Sequence, residues 1–294
     1  MSMTKNLIII PLLVLISFFW ASSFIVVEMI TKEIDPVDLG FLRFLVATPL
    51  MVLLVLVQKK PISFPKKEIP WFVALGLTGV TFLYLFQFLG IFYTNAPTAS
   101  VLINTNVIFI AVLSGLFLHE PLTKKRISGI VLSFLGVFVI MFSDISKQQF
   151  TLDNLFIIGS ILMLLSAFCW ALYSFLGKRL LKTYDEFVIT TYAFVFGTLL
   201  YLPFVISRIG PVLQQTSLHG WGAIFYLAVA CSLFGYLGWY YALKHIDASK
   251  AAVFLTFIPL FTILMSFFLG TQLTGFFLAG AGLIIYGVYL TQRT

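Results

Sequence analysis

A chain of 294 residues in which 61% are hydrophobic and 10% charged cannot cover itself as a soluble domain does, since such domains carry roughly 25% charged residues. The composition predicts an integral membrane protein, and the net charge of +7 reads as a topology signal that needs no nucleic acid to explain it. Cys169 and Cys231 both fall inside apolar runs, a pattern that supports neither a disulfide framework nor a cysteine-based metal site.

Apolar runs of about 20 residues, long enough to span a bilayer as helix, recur almost without pause. The segmentation gives ten: 7–30, 36–57, 69–93, 97–118, 125–143, 153–177, 186–207, 219–243, 249–269 and 273–291. Both faces of each run are apolar, unlike the alternating strands of a membrane β-barrel. The first run, Leu7 to Val27, is too long for the apolar region of a signal peptide and is expected to be retained. Asp35-Pro36 reads as N-cap and first-turn proline of the second span, and Pro70 and Pro97 open the third and fourth. Pro49, Pro203 and Pro259 lie within spans, which they are expected to kink or interrupt.

Loops on the side of the N-terminus hold 14 of the 18 Lys and Arg residues, including the groups Lys59-Lys60, Lys66-Lys67 and Lys124-Lys125-Arg126. The opposite loops hold Lys32, Lys147 and Arg208. By the positive-inside rule both termini face the cytoplasm, as expected of a multi-pass protein of the cytoplasmic membrane.

Displaced by about 150 positions, the chain matches itself. FFWASSF around Trp20 falls on AFCWALY around Trp170, NAPTASVL falls on DASKAAVF, and Gly129 and Gly136 fall on Gly280 and Gly287. The halves, 1–145 and 146–294, hold five spans each, and an odd number forces the second copy into the membrane upside down. Loop charges agree: Thr123-Lys124-Lys125-Arg126 is basic where its counterpart around Gln272-Leu273-Thr274 is uncharged. Likewise TKEID (31–35) is net acidic where KRLLKT (178–183) is basic. The predicted fold is an all-α integral membrane protein of ten transmembrane helices as two inverted five-helix repeats, a plan that puts a binding site near midplane between the copies.

Several stretches resemble the EamA-type branch of the drug/metabolite transporter superfamily. They are WASSF (Trp20 to Phe24) with LRF (Leu42 to Phe44), LHEPLT (Leu118 to Thr123) followed by Gly129 and Gly136, and WAL (Trp170 to Leu172). YALKHIDASKAA (Tyr241 to Ala252) and IPLF (Ile258 to Phe261) complete the match, which covers essentially the whole chain. The resemblance implies a ten-helix bundle with spans 1–4 and 6–9 around a central cavity and spans 5 and 10 at the back. It also implies movement of amino acids, other small metabolites or drugs across the cytoplasmic membrane, often as export. Three positions depart from the family pattern. Val107 stands where the fourth span usually carries proline, so the first half is expected to lack the kink that Pro259 brings to the second. Glu28 stands where Lys is common and where the second half has Lys178, and Gln272 replaces the acidic residue represented by Glu120.

Arg43 is the one charge in LGFLRFLVATPLMVLLVLV, about 5 Å from midplane at the rise of a helix. An arginine there costs roughly 2.5–3.5 kcal/mol on insertion scales, so it should face the bundle interior and have partners. It either anchors a substrate carboxylate or phosphate, which its planar fork matches, or holds backbone carbonyls or Gln87. Gln87, Asn104 and Asn106 bring amides to comparable depth, either lining the same cavity or bridging helices. Trp20, Tyr84, Trp170, Tyr173, Tyr236 and Tyr240 form an aromatic set from both halves, suited to an amphipathic metabolite such as an apolar or aromatic amino acid. For Tyr236 and Tyr240, interfacial belt or core packing is the competing reading. With Ser23 of WASSF, the candidate substrate-binding residues are Trp20, Arg43, Tyr84, Gln87, Asn104, Asn106, Trp170, Tyr173 and Tyr240.

Enzyme signatures fail: His119-Glu120 begins like HExxH but Thr occupies position 123, and Gly177-Lys178 lacks phosphate-cradling glycines upstream. No catalytic residue, metal or cofactor is predicted. Without an ATPase signature, the expected mechanism is facilitated or ion-driven transport by rocking of one half against the other. Glu28 and Asp144, both close to the interface, are the candidate proton carriers near a span. The expected partners are a small-molecule substrate and the lipid bilayer, with a homodimer left open. Competing classes are an intramembrane enzyme or lipid-processing protein, a drug efflux transporter of the same fold, and a channel-like bundle.

Overall fold

The computed structural model of the chain describes residues 3–60, 66–145, 154–270 and 275–293, without the side chains of 3–7 and 141–145. Lys147, the Gln272-Leu273-Thr274 segment and the side chains of Lys5 and Asp144 therefore lie outside the described residues. Regular structure among the described residues is entirely helical. The first half comprises α1 (Met3–Ile30), α2 (Pro36–Val57), α3 (Ile69–Gly76), α4 (Phe82–Tyr93), α5 (Ala96–Ile103), α6 (Asn106–Phe117) and α7 (Lys124–Ile145). The second comprises α8 (Asn154–Leu180), α9 (Glu186–Tyr201), α10 (Ile209–Gln215), α11 (Leu218–Tyr226), α12 (Gly235–His245), α13 (Ala248–Ala252), α14 (Phe257–Phe268) and α15 (Gly275–Gln292).

Nine helical segments among the described residues have the length and apolarity to cross a membrane, and the chain is an all-helical integral membrane protein. The sequence led us to expect ten; the remaining run, 125–143, folds as α7.

Helix starts follow the local chemistry. Asp35 accepts from the amides of Val37 at 2.9 Å and Asp38 at 3.4 Å, with Pro36 supplying a first residue that has no amide to satisfy. Asp185 caps α9 through Phe187 N at 3.0 Å, and Asn95 caps α5 through Thr98 N at 2.8 Å. Pro49 leaves α2 unbroken, whereas Pro203 sits in a 3₁₀ turn (Leu202–Phe204) that ends its span. Pro259 follows a 3₁₀ segment (Val253–Thr256) that joins α13 to α14.

The expected absence of a break in the first half is overturned. The fourth span is interrupted at Asn104 and Thr105 although Val107 is no proline, because tighter bonds replace the α pattern there: Asn104 N to Val101 O at 3.1 Å and Val107 N to Asn104 O at 3.0 Å. Asn104 Nδ2 also donates to Ser100 O at 2.9 Å and Thr105 Oγ1 to Leu102 O at 2.9 Å, the local competition through which such side chains disfavour helix interiors. Two further irregularities went unforeseen: π-helical segments Leu77–Thr81 and Leu227–Phe234 join α3 to α4 and α11 to α12.

Packing couples the halves. The main partners are α1 with α14, α2 with α9, α4 with α8, and α7 with α15. The last pair meets backbone to backbone: a Cβ on Gly136 would fall 2.6 Å from Gly280 O, and one on Gly287 would fall 2.5 Å from Gly129 O. This close approach is why the two glycines recur at the same spacing in both halves, since lipid offers no hydrophobic drive and small residues supply contact instead.

Candidate functional site

The packing of α1, α4, α5 and α6 against α8 and α14 leaves a chamber of about 410 Å³, mouth included. Six expected site residues line it: Trp20, Ser23, Tyr84, Gln87, Asn106 and Trp170. Phe24, Leu83, Ile103, Leu255 and Ile258 complete an otherwise apolar wall, and none of the lining side chains carries a formal charge.

The two tryptophans come from opposite halves. Trp20 meets Trp170 edge to face with centroids 4.9 Å apart, and its Nε1 donates to Cys231 O at 2.9 Å. Gln87 is 8% exposed and Asn106 3%, and the Oδ1 of Asn106 has no hydrogen-bond partner. Ser23 donates its hydroxyl back to Trp20 O at 2.6 Å, which leaves its oxygen lone pairs for the chamber.

Arg43, Asn104, Tyr173 and Tyr240 stand behind the wall. Tyr173 and Tyr240 are fully buried and stacked at 4.9 Å, with Tyr236 and Trp239 beside them. Tyr236 and Tyr240 are packed among these rings, and neither lines the chamber. Asn104 spends its amide nitrogen on the helix break described above. Arg43 donates Nε to Ser232 Oγ at 2.6 Å and stacks its Cζ 4.2 Å from the Tyr84 ring centroid. Its terminal nitrogens are buried without hydrogen-bond partners, so neither Gln87 nor a carbonyl holds them.

One end of the bundle carries a polar cluster that sequence reasoning did not treat as a site. Glu120 accepts from Ala248 N at 2.6 Å, Ser249 N at 3.1 Å and Ser249 Oγ at 2.8 Å, capping the start of α13 from the other half. A left-handed backbone at His119 (φ 56°) turns the chain so that Glu120 reaches there. Lys178 Nζ lies 3.6 Å from Glu120 and donates to Leu243 O at 2.9 Å. Arg126 adds bonds to Asp247 at 2.8 Å and Ser249 at 3.0 Å. The available signal was an acidic residue in LHEPLT together with the orphan amides at the start of ASKAA.

Nearby, Lys60 pairs with Asp185 at 2.9 Å and Lys244 with Glu186 at 2.6 Å. Partial burial acts to raise the Asp185 carboxyl, but the Lys60 hydrogen bond and the Phe187 amide outweigh it and hold it below the usual carboxylate value. At the other end Arg208 bridges Asp38 at 2.6 Å and Asp35 at 3.2 Å.

Comparison with known proteins gives a consistent result. The EamA-like transporter family matches residues 7–142 and again 157–293. An uncharacterized transporter of Archaeoglobus fulgidus is 40% identical over 284 residues, covering 95% of this chain and 96% of that protein. The uncharacterized transporter YyaM of Bacillus subtilis is 30% identical, covering 97% of this chain and 93% of its own. A protein of Salmonella typhimurium named as a probable amino-acid metabolite efflux pump is 26% identical, covering 95% of this chain and 93% of its own. One crystal structure matches with a TM-score of 0.76 at 16% identity, covering 96% of each chain, a likeness of fold.

Proposed function

The chain belongs to the EamA-like transporter family, and from that premise we propose that it is a secondary transporter exporting small metabolites, amino acids or similar amphipathic compounds, across the cell membrane. The observation that carries this reading is a chamber walled by both halves of the chain, uncharged and aromatic, with amides from α4 and α6. A site of that chemistry suits a solute with one apolar and one polar end.

The architecture proposed is ten membrane helices in two inverted five-helix repeats, 1–145 and 146–294, with both termini cytoplasmic. Support comes from the family matching twice along the chain and from helix breaks at corresponding places in both halves. On this orientation the Glu120 cluster lies at the cytoplasmic end, and Ser23, Phe24, Tyr84 and Gln87 lie in the outer half of their spans. The described conformation then faces outward, with the cytoplasmic side closed by Glu120, Arg126, Lys178 and the α13 start, above which Tyr173, Tyr236, Trp239 and Tyr240 form an aromatic floor. Export requires that closure to release so the chamber loads from the cytoplasm, by rocking of one half against the other.

The test is flux of labelled amino acids and other small metabolites from vesicles containing the full-length protein, with Arg43→Ala as control. Saturable movement of a subset supports the reading; no selective movement of any compound defeats it.

A further inference from the structure

We infer that the transported compound is a monocarboxylate with an apolar or aromatic body, and that Arg43 receives its carboxylate. This rests on the chamber being the transport site proposed above.

Arg43 is 1% exposed, in the interior of a membrane-spanning helix. A guanidinium offers five N–H donors. Only the Nε–H is used, on Ser232 Oγ, and both terminal nitrogens lack partners. Among the described residues no carboxylate pairs with it, although every other buried cation of the bundle, such as Arg126, has an acidic neighbour. A buried charge without a counter-ion is strongly unfavourable, and here the rings of Tyr84, Phe44 and Phe88, at 4.2, 5.6 and 6.0 Å, offset it only in part. Such a group fits a site whose counter-ion arrives with the ligand.

The position agrees. Tyr84 is both the platform under the guanidinium and a wall of the chamber, so Arg43 lies one side chain away from it. The Tyr84 ring is tethered at its hydroxyl by Tyr236, 3.1 Å away, and the assignment requires that ring to turn aside when the carboxylate arrives. Ser232, which fixes Nε, belongs to the π-helical segment Leu227–Phe234, a distortion that often marks functional positions.

Charge arithmetic selects the anion. One guanidinium beside an otherwise uncharged wall balances a single negative charge. A phosphate monoester, near two negative charges, would leave the second unpaired, and a cationic amphiphile would meet the arginine with like charge. Asn106 supplies an unpartnered acceptor, Oδ1, in the wall, suited to an N–H of the same solute. Trp20, Trp170, Phe24 and Leu83 cover the remainder. A monocarboxylate whose N–H is neutral, as in an acylated amino acid with an apolar or aromatic side chain, meets all three demands.

The test titrates N-acetyl-L-phenylalanine, 3-phenylpropionate and its neutral isostere 3-phenylpropionamide against the full-length protein in detergent, following tryptophan emission. In parallel, vesicle flux is measured for a panel of anionic, neutral and cationic solutes. The expected result is binding of both carboxylates at least about tenfold tighter than the amide, with Arg43→Gln bringing the affinities together and Arg43→Lys keeping part of the preference. The wild-type comparison stands even where a variant does not fold. Equal binding of amide and carboxylate, or flux confined to neutral or cationic solutes, overturns the assignment and leaves transport intact. Absence of flux for every class instead overturns the transport reading itself.

Discussion

Trp20 and Trp170, at matching places in the two halves, meet edge to face with centroids 4.9 Å apart in the chamber wall. Trp20→Phe keeps the apolar ring and loses the bond to Cys231 O, a cost of about 0.5–1.5 kcal/mol. Trp20→Ala also leaves a cavity, for about 3–5 kcal/mol. Thermal unfolding in detergent should therefore rank wild type above Phe above Ala. Vesicle flux should survive in part in the Phe variant and be lost in the Ala variant.

Glu120 caps α13 from the opposite half of the chain. Removing it by Glu120→Ala strips two amides of their acceptor and leaves Lys178 without its carboxylate neighbour, a destabilisation of about 3–5 kcal/mol if the site stays closed. Release of the closure is the alternative outlet for that energy. Hydrogen exchange by mass spectrometry should show faster exchange at Ala248 and Ser249, with the α7 and α15 seam unchanged. Unaltered exchange there contradicts a closing role.

The α7 and α15 seam predicts a contrast between neighbouring glycines. A Cβ at Gly136 meets a carbonyl that cannot yield, whereas Gly282 on the same helix pair has open space around it. Gly136→Val should lower stability by about 1–3 kcal/mol or more. Gly282→Ala should leave it unchanged or slightly raised. Thermal unfolding of the two variants decides.

Acid should weaken the end of the bundle that holds Asp185. Its folded-state carboxyl sits below the ordinary value of 3.8, so its contribution is present above that value and is lost as pH falls through the lower, folded one. The stability difference between wild type and Asp185→Asn should therefore be constant near neutrality and shrink below about pH 4. A difference that persists unchanged into acid contradicts the Lys60 pairing as its source.

Much of this was legible in the sequence because membrane insertion leaves few options. Apolar length marked the spans, Asp35-Pro36, Pro70 and Pro97 marked three helix starts, and the glycines that recur in both halves fall on the α7 and α15 seam. Depth along a helix was equally readable, which is why Trp20, Ser23, Tyr84, Gln87, Asn106 and Trp170 were brought together. What depth does not give is rotation about the helix axis. Arg43, Asn104, Tyr173 and Tyr240 lie at suitable levels but turn behind the wall, and the irregular segments near residues 77, 104 and 227 arise without a proline to announce them. Glu120 was missed because the acidic residue and the uncapped helix start it serves lie 128 residues apart, and nothing local pairs the two.

Alternating exposure of the chamber is the central claim, and Asn106 sits in its wall. With Cys169 and Cys231, the two native cysteines, replaced by serine, Asn106→Cys provides a single thiol for a membrane-impermeant maleimide applied to right-side-out or inside-out vesicles. The account predicts labelling from both sides, slowed on each by a transported carboxylate. Labelling confined to one side, whatever solute is present, would contradict it.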